Sequence, residues 1–238
     1  MDWQSYDAVL FDLDGVLTPT AEVHMRAWSK MFNEFLASWH GDQRPYTDED
    51  YYAYVDGKPR EDGVRAFLAS REIDLPEGDG GDDPTAMTVH SLGNRKNEDL
   101  TAVLERDGVV AYPGSVRLLD ALATTDLHLA VVSSSKNANA VLAAAGLSQR
   151  FEVVVDGAVA EREGLAGKPA PDTFLRAAQL LSVPRKRCVV VEDAESGVAA
   201  GRAGGFGLVI GVDRGAGASS LRGRGAHLVV NDLAELLP

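Results

Sequence analysis

The sequence predicts an α/β fold in which a doubly wound parallel sheet carries an inserted helical cap domain. Short apolar runs rich in Val and Leu alternate with helix-like stretches over most of the 238 residues, which is typical of a parallel sheet with crossover helices. This alternation is interrupted once, where roughly ninety residues of helical pattern separate the first apolar run from the second. We therefore expect a core domain with a second domain inserted after its first strand.

Five apolar runs have the length and composition of strands that are buried on both faces. They span residues 8–13, 129–133, 153–156, 188–191 and 208–212. Helix-like stretches lie between most of them, at residues 116–123, 138–145, 172–181 and 196–203. Right-handed crossovers would join such strands into one parallel sheet. The sequence therefore predicts a Rossmann-like core.

The inserted segment has the pattern of a helical cap. The aromatic residues of its first helix recur at helical spacing: Trp28, Phe32, Phe35 and Trp39. Further helices are indicated at 61–70 and 98–105, and the Gly-, Asp- and Pro-rich stretch 76–84 is predicted to be a solvent loop. A second surface loop is predicted at 214–225. We predict a core domain of 1–18 and 108–238 and a cap domain of 19–107, with hinges near 17–20 and 107–113.

The composition indicates a globular protein that binds neither nucleic acid nor membranes. The 23 basic and 36 acidic residues give a net charge of −13, which repels polyanions. No apolar run approaches the roughly 18 to 20 residues that span a bilayer, and the first residues lack a secretory signal. Cys188 is the only cysteine, and its apolar neighbours predict a buried strand thiol. We expect a cytoplasmic protein and, by default, a monomer.

Two carboxylates follow the first predicted strand. Asp12 and Asp14 precede Gly15, which lets the chain turn sharply at the sheet edge where ligands bind in such folds. Two carboxylates this close repel each other unless a cation or a shared proton relieves the repulsion. Taken alone, Asp14 and Gly15 are better explained as a turn that ends a strand.

A second carboxylate pair, Glu192 and Asp193, follows the predicted strand at 188–191. Parallel neighbouring strands end at one edge of a sheet, so these carboxylates and those of Asp12 and Asp14 could form a pocket of hard oxygen ligands that suits Mg²⁺. The alternative explanation is a helix N-cap with an acid that the helix dipole favours.

Hydroxyls and a lysine complete the predicted site. Ser133 and the residues after it can donate to a phosphate oxygen, although they are also common turn residues. Lys168 stands between a glycine and a proline, which restrict the backbone and can aim its side chain at carboxylates or phosphate. An exposed lysine in a Pro-rich loop is the alternative.

Together these four segments resemble the haloacid dehalogenase superfamily in their order and separation along nearly the whole chain. Within it, five segments resemble the beta-phosphoglucomutase family: 12–24 with Trp28, 60–62, 95–97, 133–137 and 168–172. The chain departs from that family at Pro19, where an aspartate is usual, and in a longer cap. A proline at this position could stiffen the hinge.

The resemblance implies a covalent mechanism. Asp12 would attack phosphorus and become an aspartyl phosphate, and Asp14 would give and take the proton of the sugar hydroxyl. Ser133 and Lys168 would bind the phosphoryl group that is transferred. Mg²⁺ would be held by Asp12, the backbone carbonyl of Asp14 and Asp193, with Glu192 nearby.

The resemblance also implies substrate-binding residues. They are Thr20, His24, Trp28, Arg60, Lys96, Ser135, Lys136 and Asn137. Arg60 would hold the other phosphate of glucose 1,6-bisphosphate, with help from Lys136 and Asn137. Each cap residue has an alternative explanation: a surface ion pair for Arg60, a solvated charge for Lys96, and packing in the cap core for His24 and Trp28.

The activity that the resemblance implies is the Mg²⁺-dependent interconversion of beta-glucose 1-phosphate and glucose 6-phosphate. A phosphatase acting on a sugar phosphate or another small phosphoester is the alternative, because its chemistry is the same up to the aspartyl phosphate. A dehalogenase would not need Asp14 or a magnesium site. A binding module without turnover would be expected to have a broken nucleophile or metal site, and these residues are intact.

Overall fold

The computed structural model describes residues 1, 3–40 and 42–238, which form two compact units. The first unit consists of Met1–Pro19 and Val109–Pro238, and the second is Thr20–Gly108. The second unit is therefore inserted into the chain of the first.

The first unit contains a six-stranded parallel sheet in the described part of the chain. Its strands are β1 (Ala8–Phe11), β2 (His128–Val132), β3 (Val153–Val155), β4 (Cys188–Glu192), β5 (Leu208–Val212) and β6 (Leu228–Val230). They lie in the order β3-β2-β1-β4-β5-β6, so β1 is central. Leu10 aligns with Ala130 on one side and Val190 on the other. All four residues of β1 are buried, which explains its unbroken apolar sequence.

The second unit is helical in the residues described. Its helices are α1 (Thr20–Ser38), the single turn α2 (Asp48–Asp50), a π-helix (Tyr51–Val55), α3 (Arg60–Ser70) and α4 (Val89–Asp107). Its core is built around the ring of Phe32, which lies 5.3 Å from Trp28, 4.9 Å from Tyr46 and 4.1 Å from Phe67. Thr88 caps α4 by accepting from the Ser91 amide.

The described residues of the first unit form six further helices: α5 (Pro113–Leu122), α6 (Ala138–Ala144), α7 (Gly157–Glu163), α8 (Asp172–Leu180), α9 (Glu195–Gly204) and α10 (Ala218–Arg224). Short 3-10 helices are Trp3–Ser5, Arg185–Arg187 and Leu233–Leu236. One apolar cluster joins the sheet to these helices, with Leu10 and Val190 from the strands and Phe174 from α8. Among the described helices, none combines the length and apolarity needed to cross a bilayer.

The predicted α/β fold is confirmed, with two corrections. The five predicted strands and the four crossover helices are present with small shifts at their ends. The sequence did not indicate β6, which has only three residues, one of them buried. The surface loop predicted at 214–225 is wrong in part, because Ala218–Arg224 is a helix that buries Leu221. The 76–84 stretch contains no helix or strand.

Candidate active site

Asp12 follows the carboxyl end of β1 and is bonded to the neighbouring strand β4. The Asp12 amide donates to the Val191 carbonyl at 2.9 Å, which continues the pairing with β4 beyond the strand. Gly15 follows with a φ of +85°. A Cβ added there would lie 1.8 Å from Oδ2 of Asp193, so both the backbone angle and the space require glycine.

Lys168 is a buried cation between two carboxylates. Its Nζ donates to Oδ1 of Asp12 at 2.5 Å, to Oε1 of Glu192 and to the Val132 carbonyl at 3.0 Å. Nζ also lies 5.0 Å from the centre of the Phe174 ring. The alternative of an exposed lysine in a loop is wrong, because only 1% of this side chain is exposed.

Glu192 is held at both carboxylate oxygens. Oε1 accepts from Lys168, and Oε2 accepts from the Ala194 amide at 3.1 Å. Gly197 leaves room for this carboxylate, since a Cβ at position 197 would lie 1.8 Å from Oε1. The orientation of Glu192 is therefore set by its neighbours.

Three carboxylates at this sheet edge could hold a metal ion. Asp12, Glu192 and Asp193 each offer an oxygen, these oxygens lie within 4.8 Å of one another, and all three residues are buried. Hard carboxylate oxygens are the donors that Mg²⁺ prefers. The carboxylate of Asp14 is outside this group and lies 3.4 Å from Oγ of Ser133. Its predicted metal contact is through the backbone carbonyl, which stays a prediction.

Burial strongly affects ionisation at this site. It raises the pKa of Asp12 well above the usual range, the Lys168 ammonium opposes that rise, and the carboxylates of Glu192 and Asp14 add to it. For Lys168, burial alone would lower the pKa, but Asp12 and Glu192 outweigh burial and raise it. The lysine is therefore charged, and a further cation would favour the ionised form of Asp12.

The serines after β2 form a tight turn beside Asp14. The hydroxyl of Ser133 accepts from the Ser135 amide at 3.1 Å, and that of Ser135 accepts from the Asn137 amide at 3.2 Å. Lys136 does not join them, because its Nζ pairs with Glu161 at 2.9 Å. The structure thus brings Ser133 to Asp14, and a phosphate would have to compete with Glu161 for Lys136.

Three predicted residues of the second unit lie together. Nζ of Lys96 on α4 lies 2.9 Å from Nδ1 of His24 and 5.1 Å from the ring of Trp28, both on α1. Only 3% of Lys96 is exposed, so its alternative explanation as a solvated charge is wrong. Thr20, the first residue of α1, is also buried.

Arg60, the first residue of α3, is engaged by the neighbouring residue. Its Nε and Nη2 lie 3.0 and 2.9 Å from Oε1 of Glu61. Its aliphatic part packs against Gly93, where an added Cβ would lie 3.3 Å from both Cγ and Cδ of Arg60. A phosphate bound by this guanidinium would have to share it with Glu61 or displace that carboxylate.

Comparison with known proteins assigns the chain to a family. A family model described as haloacid dehalogenase-like hydrolase matches residues 6–205. A beta-phosphoglucomutase of Mycobacterium bovis is 51% identical over an alignment of 242 positions. The alignment covers 97% of this chain and 91% of the relative. The chain belongs to the beta-phosphoglucomutase-like family of the haloacid dehalogenase superfamily.

Other members of the beta-phosphoglucomutase-like family agree with this assignment. A beta-phosphoglucomutase of Bacillus subtilis is 32% identical, with 96% of this chain and 91% of the relative covered. The crystal structure of a beta-phosphoglucomutase from Clostridium difficile matches with a TM-score of 0.79, covering 97% of this chain and 93% of that one. Its identity is 24%, so it shows the fold alone. The protein is an enzyme of the haloacid dehalogenase phosphotransferase type.

One residue near the site of this haloacid dehalogenase enzyme was not indicated by the sequence. Nε of Arg214 donates to the Gly15 carbonyl at 3.0 Å, and Nη1 donates to the Asn231 carbonyl at 2.9 Å. The guanidinium lies 4.0 Å from the centre of the Tyr112 ring. The available signal was its position just after β5, because all the strands of a parallel sheet end at the same edge.

Proposed function

We propose that this enzyme is a Mg²⁺-dependent sugar phosphomutase that interconverts beta-glucose 1-phosphate and glucose 6-phosphate through an aspartyl phosphate on Asp12. The observation that carries the proposal is the arrangement at the end of β1. There the buried Asp12 accepts from Lys168, and Asp14 lies beside Ser133. The identity of 51% to a beta-phosphoglucomutase supports the choice of reaction.

Two neighbouring carboxylates would divide the chemistry. A carboxylate oxygen of Asp12 would form a bond to phosphorus while the bond from phosphorus to the sugar oxygen breaks, and Asp14 would donate its proton to that oxygen. In the second half-reaction, Asp14 would take the proton of the other sugar hydroxyl as its oxygen attacks the phosphoryl group on Asp12. That attack would regenerate Asp12 and convert glucose 1-phosphate into glucose 1,6-bisphosphate. After the bisphosphate turns, the first step on its 1-phosphate would release glucose 6-phosphate and leave the phosphoryl group on Asp12 for the next glucose 1-phosphate.

The surroundings of Asp12 support its use as a nucleophile. Lys168 is a fixed cation within 2.5 Å of the carboxylate and would balance charge as an anionic phosphoryl group approaches. A Mg²⁺ ion held by Asp12, Glu192 and Asp193 would supply further stabilisation of the anionic oxygens. The hydroxyl of Ser133, which donates to Oδ2 of Asp14 at 3.4 Å, would turn to donate to the phosphoryl group.

The choice of a mutase requires a second phosphate-binding residue, because glucose 1,6-bisphosphate must be held between the half-reactions. We assign this role to Arg60, helped by Lys136 and Asn137. The ion pairs of Arg60 with Glu61 and of Lys136 with Glu161 mean that both cations would exchange a carboxylate for a phosphate. Thr20, His24, Trp28, Lys96 and Ser135 are proposed to contact the sugar phosphate.

The deciding experiment supplies the enzyme with Mg²⁺, beta-glucose 1-phosphate and a trace of glucose 1,6-bisphosphate, and follows glucose 6-phosphate and free phosphate separately. A mutase forms glucose 6-phosphate without releasing phosphate. Release of phosphate without glucose 6-phosphate would refute the mutase and favour a sugar-phosphate or small-phosphoester phosphatase, a possibility supported by the hydrolase family model.

Variants at three aspartates test the mechanism. Asp12→Asn and Asp14→Asn should each lower turnover by at least about a thousandfold, since neither amide can serve as nucleophile or proton donor. Asp7→Asn is the matched control, because Asp7 lies just before the same strand and pairs with Arg187 in an exposed position. Near-normal turnover in either of the first two variants would disprove the mechanism.

A further inference from the structure

The turn that carries Asp14 has three consecutive carbonyls bound from outside the turn. The Gly15 carbonyl accepts from Arg214 at 3.0 Å, and the Val16 carbonyl accepts from the Ser115 hydroxyl at 2.7 Å. The Leu17 carbonyl accepts from the Tyr112 amide at 2.9 Å. We call Arg214, Ser115 and Tyr112 the carbonyl clamp.

The clamp joins separate parts of the first unit to this turn. Tyr112 and Ser115 lie at the start of α5, and Arg214 lies in the segment after β5. Nη1 of Arg214 also donates to the Asn231 carbonyl, which follows β6. The guanidinium lies 4.0 Å from the Tyr112 ring, so two members of the clamp hold each other in place.

Hydrogen bonds between backbone groups of the turn itself satisfy only some of its amides and carbonyls. The Gly15 amide donates to the Thr18 carbonyl at 2.7 Å, and the amides of Leu17 and Thr18 both donate to the Leu13 carbonyl. The carbonyls of residues 15–17 are bonded by the clamp instead. Because Asp14 is joined directly to Gly15, a change in the backbone angles of Gly15 would move the Asp14 side chain relative to Asp12.

We propose that Arg214 is a positioning residue that fixes the Gly15 peptide and so holds Asp14 in place for proton transfer. This inference rests on the proposed role of Asp14 as the acid and base. The planar guanidinium suits the task, because it donates to two carbonyls at once and stacks on an aromatic ring. Its Nη2 is buried and has no acceptor among the described residues.

The test uses the leaving group, because only a poor leaving group needs a proton. In a single turnover, phosphoryl transfer to the enzyme is measured from glucose 1,6-bisphosphate, whose sugar oxygen must be protonated, and from p-nitrophenyl phosphate, whose phenolate leaves without a proton. Arg214→Met should slow transfer from the sugar at least tenfold more than transfer from the nitrophenyl ester. Asp14→Asn should show the same selectivity more strongly.

Comparison variants separate positioning from a general structural effect. Arg214→Lys keeps the charge but cannot bond both carbonyls in one plane. It should therefore, like Arg214→Met, slow transfer from the sugar more than transfer from the nitrophenyl ester. Ser115→Ala removes only the bond to the Val16 carbonyl. It should lower the ratio of the sugar rate to the nitrophenyl rate in the same direction, but by less. Arg222→Met, at an exposed position of α10, is the matched control and should leave both rates unchanged.

Two results would overturn the inference. One is an equal loss with both substrates in Arg214→Met, which indicates that the whole site has changed. The other is a ratio unchanged from the parent protein in both Arg214→Met and Ser115→Ala. The inference can be judged apart from the mutase proposal, because the ratio remains measurable in an enzyme that transfers phosphate from sugars only to water.

Discussion

At the scale of single residues, two glycines make room for the carboxylates of the site. A Cβ at position 15 would come within 2 Å of an oxygen of Asp193, and a Cβ at position 197 would come equally close to an oxygen of Glu192. These contacts involve the carboxylates that could hold a metal ion. The placement of the acidic groups therefore depends on residues that have no side chain.

Gly15→Ala should damage the site more than it destabilises the fold. The positive φ would cost about 1 to 2 kcal/mol of folding free energy, and the displaced Asp193 should lower kcat/KM about a hundredfold. Gly164→Ala is the control, because its φ is +64° and an added Cβ meets nothing within 4 Å. Equal activity of the two variants, measured beside their thermal unfolding, would contradict this explanation.

Cys188 should be unreactive in the native protein. It is fully buried in β4, and burial, with a contribution from Asp7, raises its pKa to about 12. Only the thiolate attacks disulfide reagents. With Ellman's reagent at pH 8, the folded enzyme should show no rapid reaction, and the guanidinium-unfolded chain should show one thiol. Rapid modification of the native protein would mean that β4 opens to solvent.

At the scale of elements, two lysine contacts join α1 to α4 in different environments. Lys30 on α1 pairs with Asp99 on α4, and 55% of its side chain is exposed. Lys96 on α4 is buried against His24 and Trp28 of α1. An exposed ion pair such as that of Lys30 and Asp99 would be enough to link the two helices. Burying Lys96 is costlier, because it removes an ammonium group from water.

Lys96→Met tests whether this buried ammonium serves the substrate. Methionine keeps an unbranched stem in the same space, so the melting temperature should change by only a few degrees. Loss of a charged hydrogen bond to the substrate, worth roughly 1.5 to 3 kcal/mol, should raise KM for the sugar phosphate about ten- to a hundredfold. Lys30→Met is the control and should leave KM unchanged. An unchanged KM in Lys96→Met would remove this residue from the substrate site.

The elements also show what the sequence can and cannot predict. The buried parallel strands were predictable because their apolar runs are unbroken and end in turn residues. Asp12 and Glu192 were grouped from their places after strands, and Lys168 was added from its flanking glycine and proline and from the family resemblance. Arg214 was not found, because its partner Gly15 is 199 residues away in sequence and is bound through a backbone carbonyl, which leaves no side-chain pattern.

At the scale of the whole molecule, the acidic site should link stability to pH and to Mg²⁺. In the metal-free protein the pKa of Asp12 is raised, so the folded state binds its proton more tightly than the unfolded state. The contribution of Asp12 to stability is therefore full below the ordinary aspartate pKa of about 4. It is lost as the pH rises through the raised value. A bound cation would favour the ionised carboxylate and reverse this loss.

The melting temperature should therefore rise with Mg²⁺ at pH 8 and rise less at pH 5, where protons compete for Asp12. A saturating ion at a hundred times its Kd would add about 2.7 kcal/mol of stability. Thermal unfolding with and without Mg²⁺ at constant ionic strength measures the effect. Asp193→Asn should reduce it, whereas Asp7→Asn should not. An equal rise at both pH values would show that Mg²⁺ binds elsewhere.

The central place of β1 has a consequence for how the protein is made. Its neighbours β2 and β4 begin at residues 128 and 188, so β1 leaves the ribosome long before either of the strands that it pairs with. At a synthesis rate of roughly 5 to 20 residues per second, the delay before β4 arrives is on the order of 10 s or more. During that time the apolar strand is open to chaperones, and Asp12 lacks the later-made Lys168 and Glu192.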